Sequence, residues 1–252
     1  MTDRQPLLLL PGLLNDAQLW MAQTDALDDI AQCHVADLTR DDSVAEMATR
    51  ALENAPPRFA LAALSMGGYV AFEILRQAPE RVTRLALLDT SATPDTPERA
   101  AQRRAALDSL RLGRFMGVTR RLLPQLVHPD HVDGAVGTAV RAMAVRVGGE
   151  AFLRQQQAIL GRPDSRPLLP TIAVPTLVAV GDSDRLTPRS DAHLMHDHIP
   201  NASFHCFPRC GHLPPMESPE ETSTVLRRWL IQSGNRRRSC EGPHLRQRDL
   251  GR

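Results

Sequence analysis

Short apolar runs recur along the chain and alternate with segments that have helical periodicity. Most of these runs are almost free of polar residues, as is typical of strands covered on both faces of a sheet. The runs lie at residues 6–10, 34–38, 59–64, 84–89, 176–181 and 203–207. Helical patterns lie near residues 16–29, 42–54, 66–77, 189–198 and 217–232. This alternation predicts an α/β fold with a doubly wound, mostly parallel sheet.

One long interval interrupts the alternation of strands and helices. Residues 94–170 contain several amphipathic helical patterns and no convincing strand pattern. We therefore predict a helical cap inserted into a core of residues 1–93 and 171–232. An alternative, in which these helices are further layers of the same core, stays open. Residues 233–252 are basic and nearly devoid of apolar side chains, so we expect a disordered tail.

The bulk composition excludes several classes of protein. The 252 residues are 42% hydrophobic, enough for one large core, and the formal net charge of +1 favours no nucleic-acid partner. The four cysteines follow no repeating pattern, which argues against a disulfide framework. We recognise neither a signal peptide nor an apolar run of membrane-spanning length. We therefore expect a soluble, cytoplasmic protein without a membrane partner.

Three predicted strands lead into residues that can carry catalytic chemistry. Ligands of open parallel sheets bind beyond the carboxyl ends of the strands. Ser65 follows the third strand, and the small residues Ala63 and Gly67 allow the sharp turn that exposes a nucleophile. Taken alone, Ser65 is also explained as the N-cap of a helix. The fifth strand leads to Asp184, and the sixth leads to His212 in a loop rich in Gly and Pro.

The order Ser, Asp, His is that of the α/β-hydrolase triad. The chain resembles the α/β-hydrolase superfamily, in particular small esterases, lactonases and C–C hydrolases with a helical cap. The resemblance covers residues 6–231 and rests on the segments LLLLPGLLNDAQLW, ALSMGG, VPTLVAVGDSDRLTP and GHLPPMESPE. Pro11 and Ala63 replace a histidine and a glycine that are usual in the family. The first two strands of the family are missing, so we expect a sheet truncated at its N-terminal edge.

The resemblance implies a role for each residue of the site. Ser65 would be the nucleophile, His212 the general base, and Asp184 the acid that orients the imidazole. The backbone N–H groups of Leu13 and Met66 would form the oxyanion hole. The implied reaction is hydrolysis of a carboxylic ester or a similar acyl bond through an acyl-enzyme. It needs no metal and no organic cofactor.

Several other polar residues compete for a functional role. Asp89, at the end of the fourth strand, and Asp182 are alternative acids. The segment HCFPRCGH, residues 205–212, has zinc-ligand residue types, but neighbouring strand residues point to opposite faces and do not converge. We interpret three further histidines as residues of a solvated helix, namely His193, His196 and His198.

The pattern leaves the substrate open within one chemical class. We expect a small-molecule acyl substrate. The cap arginines, among them Arg141, Arg146 and Arg154, are similar in layout to the basic cap of carrier-protein methyl esterases of biotin synthesis, so an acyl carrier protein is a possible partner. Enol-lactone hydrolysis, carbon–carbon bond hydrolysis and acyl transfer use the same triad. A non-catalytic ligand-binding protein of the same fold is the alternative from another class.

Overall fold

The computed structural model describes residues 4–111, 115 and 117–232. Its six strands form one sheet in the order β2-β1-β3-β4-β5-β6, and every neighbouring pair is parallel. The strands are β1 (Gln5–Leu10), β2 (Ala31–Val35), β3 (Phe59–Leu64), β4 (Val82–Leu88), β5 (Thr176–Gly181) and β6 (Ala202–Phe207). The predicted α/β class with a parallel sheet is confirmed.

Helices cover both faces of this sheet. Those of the sheet region are α1 (Met21–Leu27), α2 (Val44–Glu53), α3 (Met66–Gln77), α7 (Arg189–His198), α8 (Pro214–Glu217) and α9 (Pro219–Ile231). Between β4 and β5 lie α4 (Pro97–Arg111), α5 (Leu123–Leu126) and α6 (Ala135–Leu160). No helix among the described ranges is both long enough and apolar enough to cross a membrane.

The sheet is buried on both faces because its strands are apolar in both side-chain directions. In β1, Leu8 and Leu10 pack into one core cluster, whereas Leu7 and Leu9 pack into the cluster on the opposite face. All residues of β3 are buried. Burying a side chain such as Leu contributes roughly 1.5–3 kcal/mol, so these central strands anchor the loops that follow them.

The structure corrects the position of the second strand. The apolar run at residues 34–38 predicts a strand there, but β2 spans Ala31–Val35, in which buried or partly buried residues alternate with exposed ones. The reason is that β2 is the edge strand of the sheet beside β1. An edge strand exposes part of its surface and has no need of a continuous apolar run. The apolar residues just beyond it pack as a loop.

The described part of residues 94–170, the predicted cap, is largely helical. The sequence pattern, however, does not predict the bounds of all its helices correctly. Among the described residues of the pattern at 115–127, only those of α5 are α-helical, whereas α6 extends much farther toward the N-terminus than expected. Within α6, Gly148 has φ 80°, so the helix is kinked at that residue. The division into a core and a cap stays a prediction. The predicted tail at residues 233–252 lies outside the described residues.

Candidate active site

Ser65 lies on a strained turn between β3 and α3. Its φ of 54° and ψ of −117° are rarely adopted by residues other than glycine, and such conformations cost about 1–3 kcal/mol. The backbone is held by hydrogen bonds on both sides: Ser65 N–H donates to Leu88 O at 3.0 Å, and Thr90 Oγ1 donates to Ser65 O at 2.7 Å. The Ser65 side chain makes no capping bond to α3. Helix capping therefore does not explain this serine.

Two glycines after Ser65 allow neighbouring segments to approach closely, a backbone segment at Gly67 and the Thr90 side chain at Gly68. A Cβ atom at Gly67 would lie 2.5 Å from Leu10 O and 2.8 Å from Pro11 O. A Cβ atom at Gly68 would lie 2.2 Å from Thr90 Oγ1. These distances are far shorter than normal contacts, so both positions require glycine for steric reasons. The loop after β1 consequently packs directly against the turn that carries the serine.

Asp184 and His212 form a buried hydrogen-bonded pair. His212 Nδ1 lies 2.8 Å from Asp184 Oδ2, and the side chains are 4% and 0% exposed, respectively. Thr187 Oγ1 donates to the same carboxylate at 2.6 Å, and Leu186 N–H donates to it at 2.8 Å. Burial raises the pKa of Asp184, but the nearby His212 and these hydrogen bonds outweigh it, so the pKa lies below its usual range. Asp184 is therefore ionised beside the imidazole.

A buried glutamate fixes the loop that carries His212. Glu217 accepts hydrogen bonds from the N–H groups of Gly211 and Leu213, each at 3.0 Å, and from that of His128. His212 N–H itself donates to Leu126 O at 2.9 Å. Sequence reasoning did not identify Glu217. The signal it offered is a single acid in an otherwise apolar and Pro-rich stretch, LPPMESP.

The alternative acids Asp89 and Asp182 have other backbone partners. Asp89 Oδ1 accepts the N–H of Gly181 at 2.8 Å, while its Oδ2 is buried without a donor among the described residues. Burial, followed by the charge of Asp184, raises the pKa of Asp89 well above its usual range. Asp182 accepts the N–H groups of Arg209 and Cys210 at 2.9 and 3.2 Å. Asp184 is thus the acid bonded to His212 in this structure.

Asp89 nevertheless belongs to the same cluster. Ligand atoms of Asp89, Asp184 and His212 lie within 4.8 Å of one another. Three such groups are the minimum for a metal site. However, His212 Nδ1 and Asp184 Oδ2 are hydrogen-bonded to each other at 2.8 Å and are not arranged around the position of a shared ion. The pair also matches the acid and base of a hydrolase. We interpret Asp89 as an uncharged neighbour of this pair.

The expected oxyanion donors lie on the two segments that meet at Ser65. Met66 is the first residue of α3, and Leu13 lies in the turn after β1. Neither backbone N–H has a hydrogen-bond partner among the described residues. A Cβ atom at Gly12 would lie 3.2 Å from Ser65 Cβ, so the turn containing Leu13 borders the serine. Two unpaired N–H groups beside one hydroxyl are suited to bind a developing oxyanion.

The structure does not contain a hydrogen bond between Ser65 Oγ and His212. Both residues are nevertheless at the same rim of the sheet, because Ser65 bonds to Leu88 and the following residue, Asp89, lies in the cluster with His212. Asp184 engages Nδ1 of His212, so Nε2 is the ring nitrogen that stays available for another partner. Catalytic hydrogen bonds are often long before substrate binds.

The other polar groups considered from the sequence have separate environments. His205 bonds to Glu221 at 3.0 Å, and His193 stacks on Phe204 with ring centroids 4.6 Å apart. Among the cap arginines, Arg146 pairs with Asp16 and Arg154 donates to Thr39 O. Two of the arginines considered for a carrier protein are therefore already engaged within the chain.

A parallel sheet, a strained serine after β3, and a carboxylate–imidazole pair after β5 and β6 define an α/β-fold hydrolase. The sequence matches the Alpha/beta hydrolase family over residues 7–225. It is 30% identical over 233 residues to the pimeloyl-acyl-carrier-protein methyl ester esterase of Nitrosomonas europaea, covering 85% of this chain and 91% of that protein. The chain belongs to the Alpha/beta hydrolase family.

Solved structures agree with this assignment. A thermophilic esterase from Thermogutta terrifontis superposes with a TM-score of 0.81 at 31% identity, covering 91% of this chain and 90% of that one. The enol-lactonase of Burkholderia xenovorans shares the fold, with a TM-score of 0.76 at 20% identity over 91% and 92% of the chains. Together with the curated relatives, these similarities identify the chain as an enzyme, a carboxylic ester hydrolase.

Proposed function

We propose that this enzyme is a serine esterase that works through Ser65, His212 and Asp184, with Leu13 and Met66 as oxyanion donors. The observation that carries the proposal is the buried pair of His212 and Asp184, 2.8 Å apart. A serine hydroxyl is a weak nucleophile at neutral pH and needs an adjacent base. An ionised Asp184 holds the proton of His212 on Nδ1, which leaves Nε2 able to accept one.

Acylation follows from this arrangement. Ser65 Oγ attacks the carbonyl carbon of the ester while its proton passes to His212 Nε2. The carbonyl electrons move to oxygen, and the N–H groups of Leu13 and Met66 stabilise that oxyanion. When the tetrahedral intermediate collapses, the bond to the leaving alcohol breaks and the alcohol oxygen takes the proton from His212. The acyl group remains on Ser65 Oγ as an ester.

Deacylation repeats the sequence with water. His212 Nε2 removes a proton from water as the water oxygen attacks the acyl carbon. The second tetrahedral intermediate expels Ser65 Oγ, which recovers its proton from His212, and the carboxylic acid is released. The loss of one oxyanion donor typically lowers kcat by about 10²–10³-fold, so the two N–H groups carry much of the acceleration.

A panel of p-nitrophenyl esters tests the activity. We expect turnover by the wild-type chain and a loss on the order of 10⁴-fold or more in the Ser65→Ala variant, because no other group on the turn can form the acyl bond. Ser43→Ala is a matched control, since the Ser43 side chain accepts the N–H of Glu46 at the start of α2 and has no part in the proposed triad. Turnover that persists in Ser65→Ala would contradict the assignment of the nucleophile.

We further propose that the natural substrate is a methyl ester carried on an acyl carrier protein. The relative from Nitrosomonas europaea carries that activity in its name, and it covers most of the chain. If an acidic carrier is held by arginines of the helical segment, kcat/KM should be higher for the carrier-linked ester than for the free methyl ester. Salt should reduce only the former, because screening weakens attraction between exposed charges. Equal kcat/KM values would contradict this substrate.

We propose that residues 94–170 act as a cap over the site and that the enzyme works in the cytoplasm, where an acyl carrier would be found. A lactonase or C–C hydrolase activity on the same triad would appear as turnover of an enol-lactone or a diketone in the absence of ester turnover. A binding protein would show neither activity.

A further inference from the structure

A fully buried glutamine connects α6 to the turn that carries Leu13. Gln155 is 0% exposed. Its Oε1 accepts a hydrogen bond from Leu14 N–H at 3.0 Å, and its Nε2 donates to Leu38 O at 3.1 Å. An amide in a protein interior is costly unless its donor and acceptor are both paired. Both hydrogen bonds of this side chain are therefore made with main-chain groups, one in the loop after β1 and the other in the loop after β2.

The bond to Leu14 fixes the middle of a strained turn. Residues 12–15 form a turn closed by Asn15 N–H, which donates to Gly12 O at 3.2 Å. Leu14 is the third residue of this turn and has φ 58°, a conformation that favours glycine and costs a residue such as leucine about 1–2 kcal/mol. In a turn of this kind, the peptide between Leu13 and Leu14 can adopt two orientations, and the sign of φ at Leu14 distinguishes them. By accepting the Leu14 N–H, Gln155 stabilises the orientation that requires the strained, positive φ.

The same turn determines where the Leu13 N–H points. This N–H and the Gly12 carbonyl belong to one planar peptide, so the two groups point in opposite directions. Asn15 holds the carbonyl, and the Leu13 N–H is left without a partner among the described residues. On the other side of Leu13, Gln155 holds the peptide between Leu13 and Leu14 by accepting the Leu14 N–H. The peptide planes before and after Leu13 are thus both fixed, next to Ser65.

Other side chains of α6 fasten the helix to the same two loops. Arg154 Nε donates to Thr39 O at 2.8 Å, one residue beyond the carbonyl that Gln155 contacts. Arg146 Nε donates to Asp16 Oδ2 at 2.9 Å. These arginines are more exposed than Gln155 and contact residues farther from Leu13. Gln155 is consequently the side chain through which the helix reaches the turn itself.

We propose that Gln155 is a positioning residue for ester hydrolysis, which holds the Leu13 N–H in place as an oxyanion donor. This inference rests on the proposed function of Ser65. It makes α6 part of the oxyanion hole, through a side chain that does not touch the substrate. An oxyanion exists only in the tetrahedral states, so a displaced donor lowers kcat and leaves KM nearly unchanged.

The variant Gln155→Leu tests the proposal because it removes both hydrogen bonds at similar volume. Rates on a p-nitrophenyl ester are divided by the number of sites that a fluorophosphonate labels when the reaction is carried to completion, which counts folded active sites even where labelling is slower. We expect kcat per labelled site to fall about 10–100-fold, with KM within about threefold of wild type. Affinity for a trifluoromethyl ketone, whose adduct with Ser65 carries an oxyanion, should fall in parallel. Affinity for the matching secondary alcohol, which forms no oxyanion, should not change.

Gln156→Leu is the matched control. Gln156 is the next residue on α6 and is also buried, but its Oε1 accepts from Arg103 Nη1 at 2.9 Å and does not contact the turn. We expect its kcat per labelled site to equal that of wild type. If Gln155→Leu does not fold, Gln155→Met decides, since it also removes both hydrogen bonds and its flexible side chain adapts to the space. We expect the same fall of about 10–100-fold in kcat per labelled site, and a fall of less than about threefold would overturn the proposal.

Failure of the proposed esterase function and failure of the positioning role of Gln155 give different results. If the wild-type chain neither turns over esters nor reacts with the fluorophosphonate, the proposed function fails. If the wild-type chain is active and Gln155→Leu keeps its kcat per labelled site and its ketone affinity within about twofold, the positioning role fails while the esterase assignment stands.

Discussion

His212 Nδ1 lies 2.8 Å from Asp184 Oδ2, and both side chains are almost completely buried. The carboxylate also accepts hydrogen bonds from Thr187 Oγ1 and Leu186 N–H, so it is fixed on three sides. A charged acid in this position orients the ring and stabilises the imidazolium that forms during attack. The proposed mechanism depends on this relationship, and it distinguishes Asp184 from the two other acids nearby.

We predict opposite results for Asp184→Asn and Asp89→Asn. The amide introduced by Asp184→Asn would favour the wrong imidazole tautomer, so kcat should fall by about 10³–10⁴-fold. The amide introduced by Asp89→Asn would still accept the Gly181 N–H and would imitate an uncharged Asp89, so kcat should stay within about threefold of wild type. Steady-state kinetics of both variants on one ester checks this. Normal turnover by Asp184→Asn together with a loss of turnover in Asp89→Asn would show that Asp89, and not Asp184, is the acid that acts on His212.

Asp89→Asn should also change how stability depends on pH. The pKa of Asp89 is raised in the folded protein, so above its ordinary value of about 3.9 the unfolded state binds fewer protons than the folded state. The stability contributed by this group therefore falls as pH rises. Asparagine does not titrate, so the difference in melting temperature between the variant and wild type should shift in favour of the variant as the pH is raised above about 4. A difference that is constant over this range would contradict the raised pKa.

Glu217→Gln should loosen the loop that carries His212. Glutamine has one carbonyl oxygen in place of two carboxylate oxygens, so at least one of the three backbone N–H groups loses its acceptor. A buried donor without a partner costs about 1–3 kcal/mol, and chemical denaturation should show a loss of that size. Glu221→Gln removes the more exposed pair with His205 and should cost less than about 1 kcal/mol. Equal losses in the two variants would refute the role of Glu217.

Thr187→Val removes the hydroxyl that donates to Asp184 and keeps the shape of the side chain. Hydrogen bonds to charged groups contribute about 1.5–3 kcal/mol, so we expect a loss of stability in that range and a smaller loss of kcat than in Asp184→Asn. Thr187→Ser keeps the hydroxyl and should retain most of both quantities. Thermal unfolding and kinetics of the pair check this prediction, and indistinguishable Val and Ser variants would contradict it.

The fold was predictable because buried parallel strands have a simple sequence pattern. The run FALAAL predicts β3 at its observed bounds, since all of its residues are buried. The edge strand β2 was misplaced because its exposed residues interrupt the apolar pattern. In the segment between β4 and β5, helical periodicity identified helices but not their ends, because those ends depend on tertiary contacts and on the kink at Gly148.

Within the site, the sequence indicated the residues that lie at strand ends, such as Ser65 and Asp184. It did not indicate Glu217, Gln155 or the raised pKa of Asp89. These depend on contacts between residues far apart in the chain; Gln155, for example, bonds to Leu14 and Leu38. No local pattern distinguishes a buried glutamine that holds a turn from the exposed one two residues later.

Mass spectrometry of the protein after reaction with a fluorophosphonate tests directly whether Ser65 is an activated nucleophile. The reagent reacts with a serine only when a base and an oxyanion hole activate it. We predict one adduct, located on the peptide that contains Ser65, and none in the His212→Ala variant. An unmodified Ser65 in folded wild-type protein, or equal labelling of His212→Ala, would contradict it.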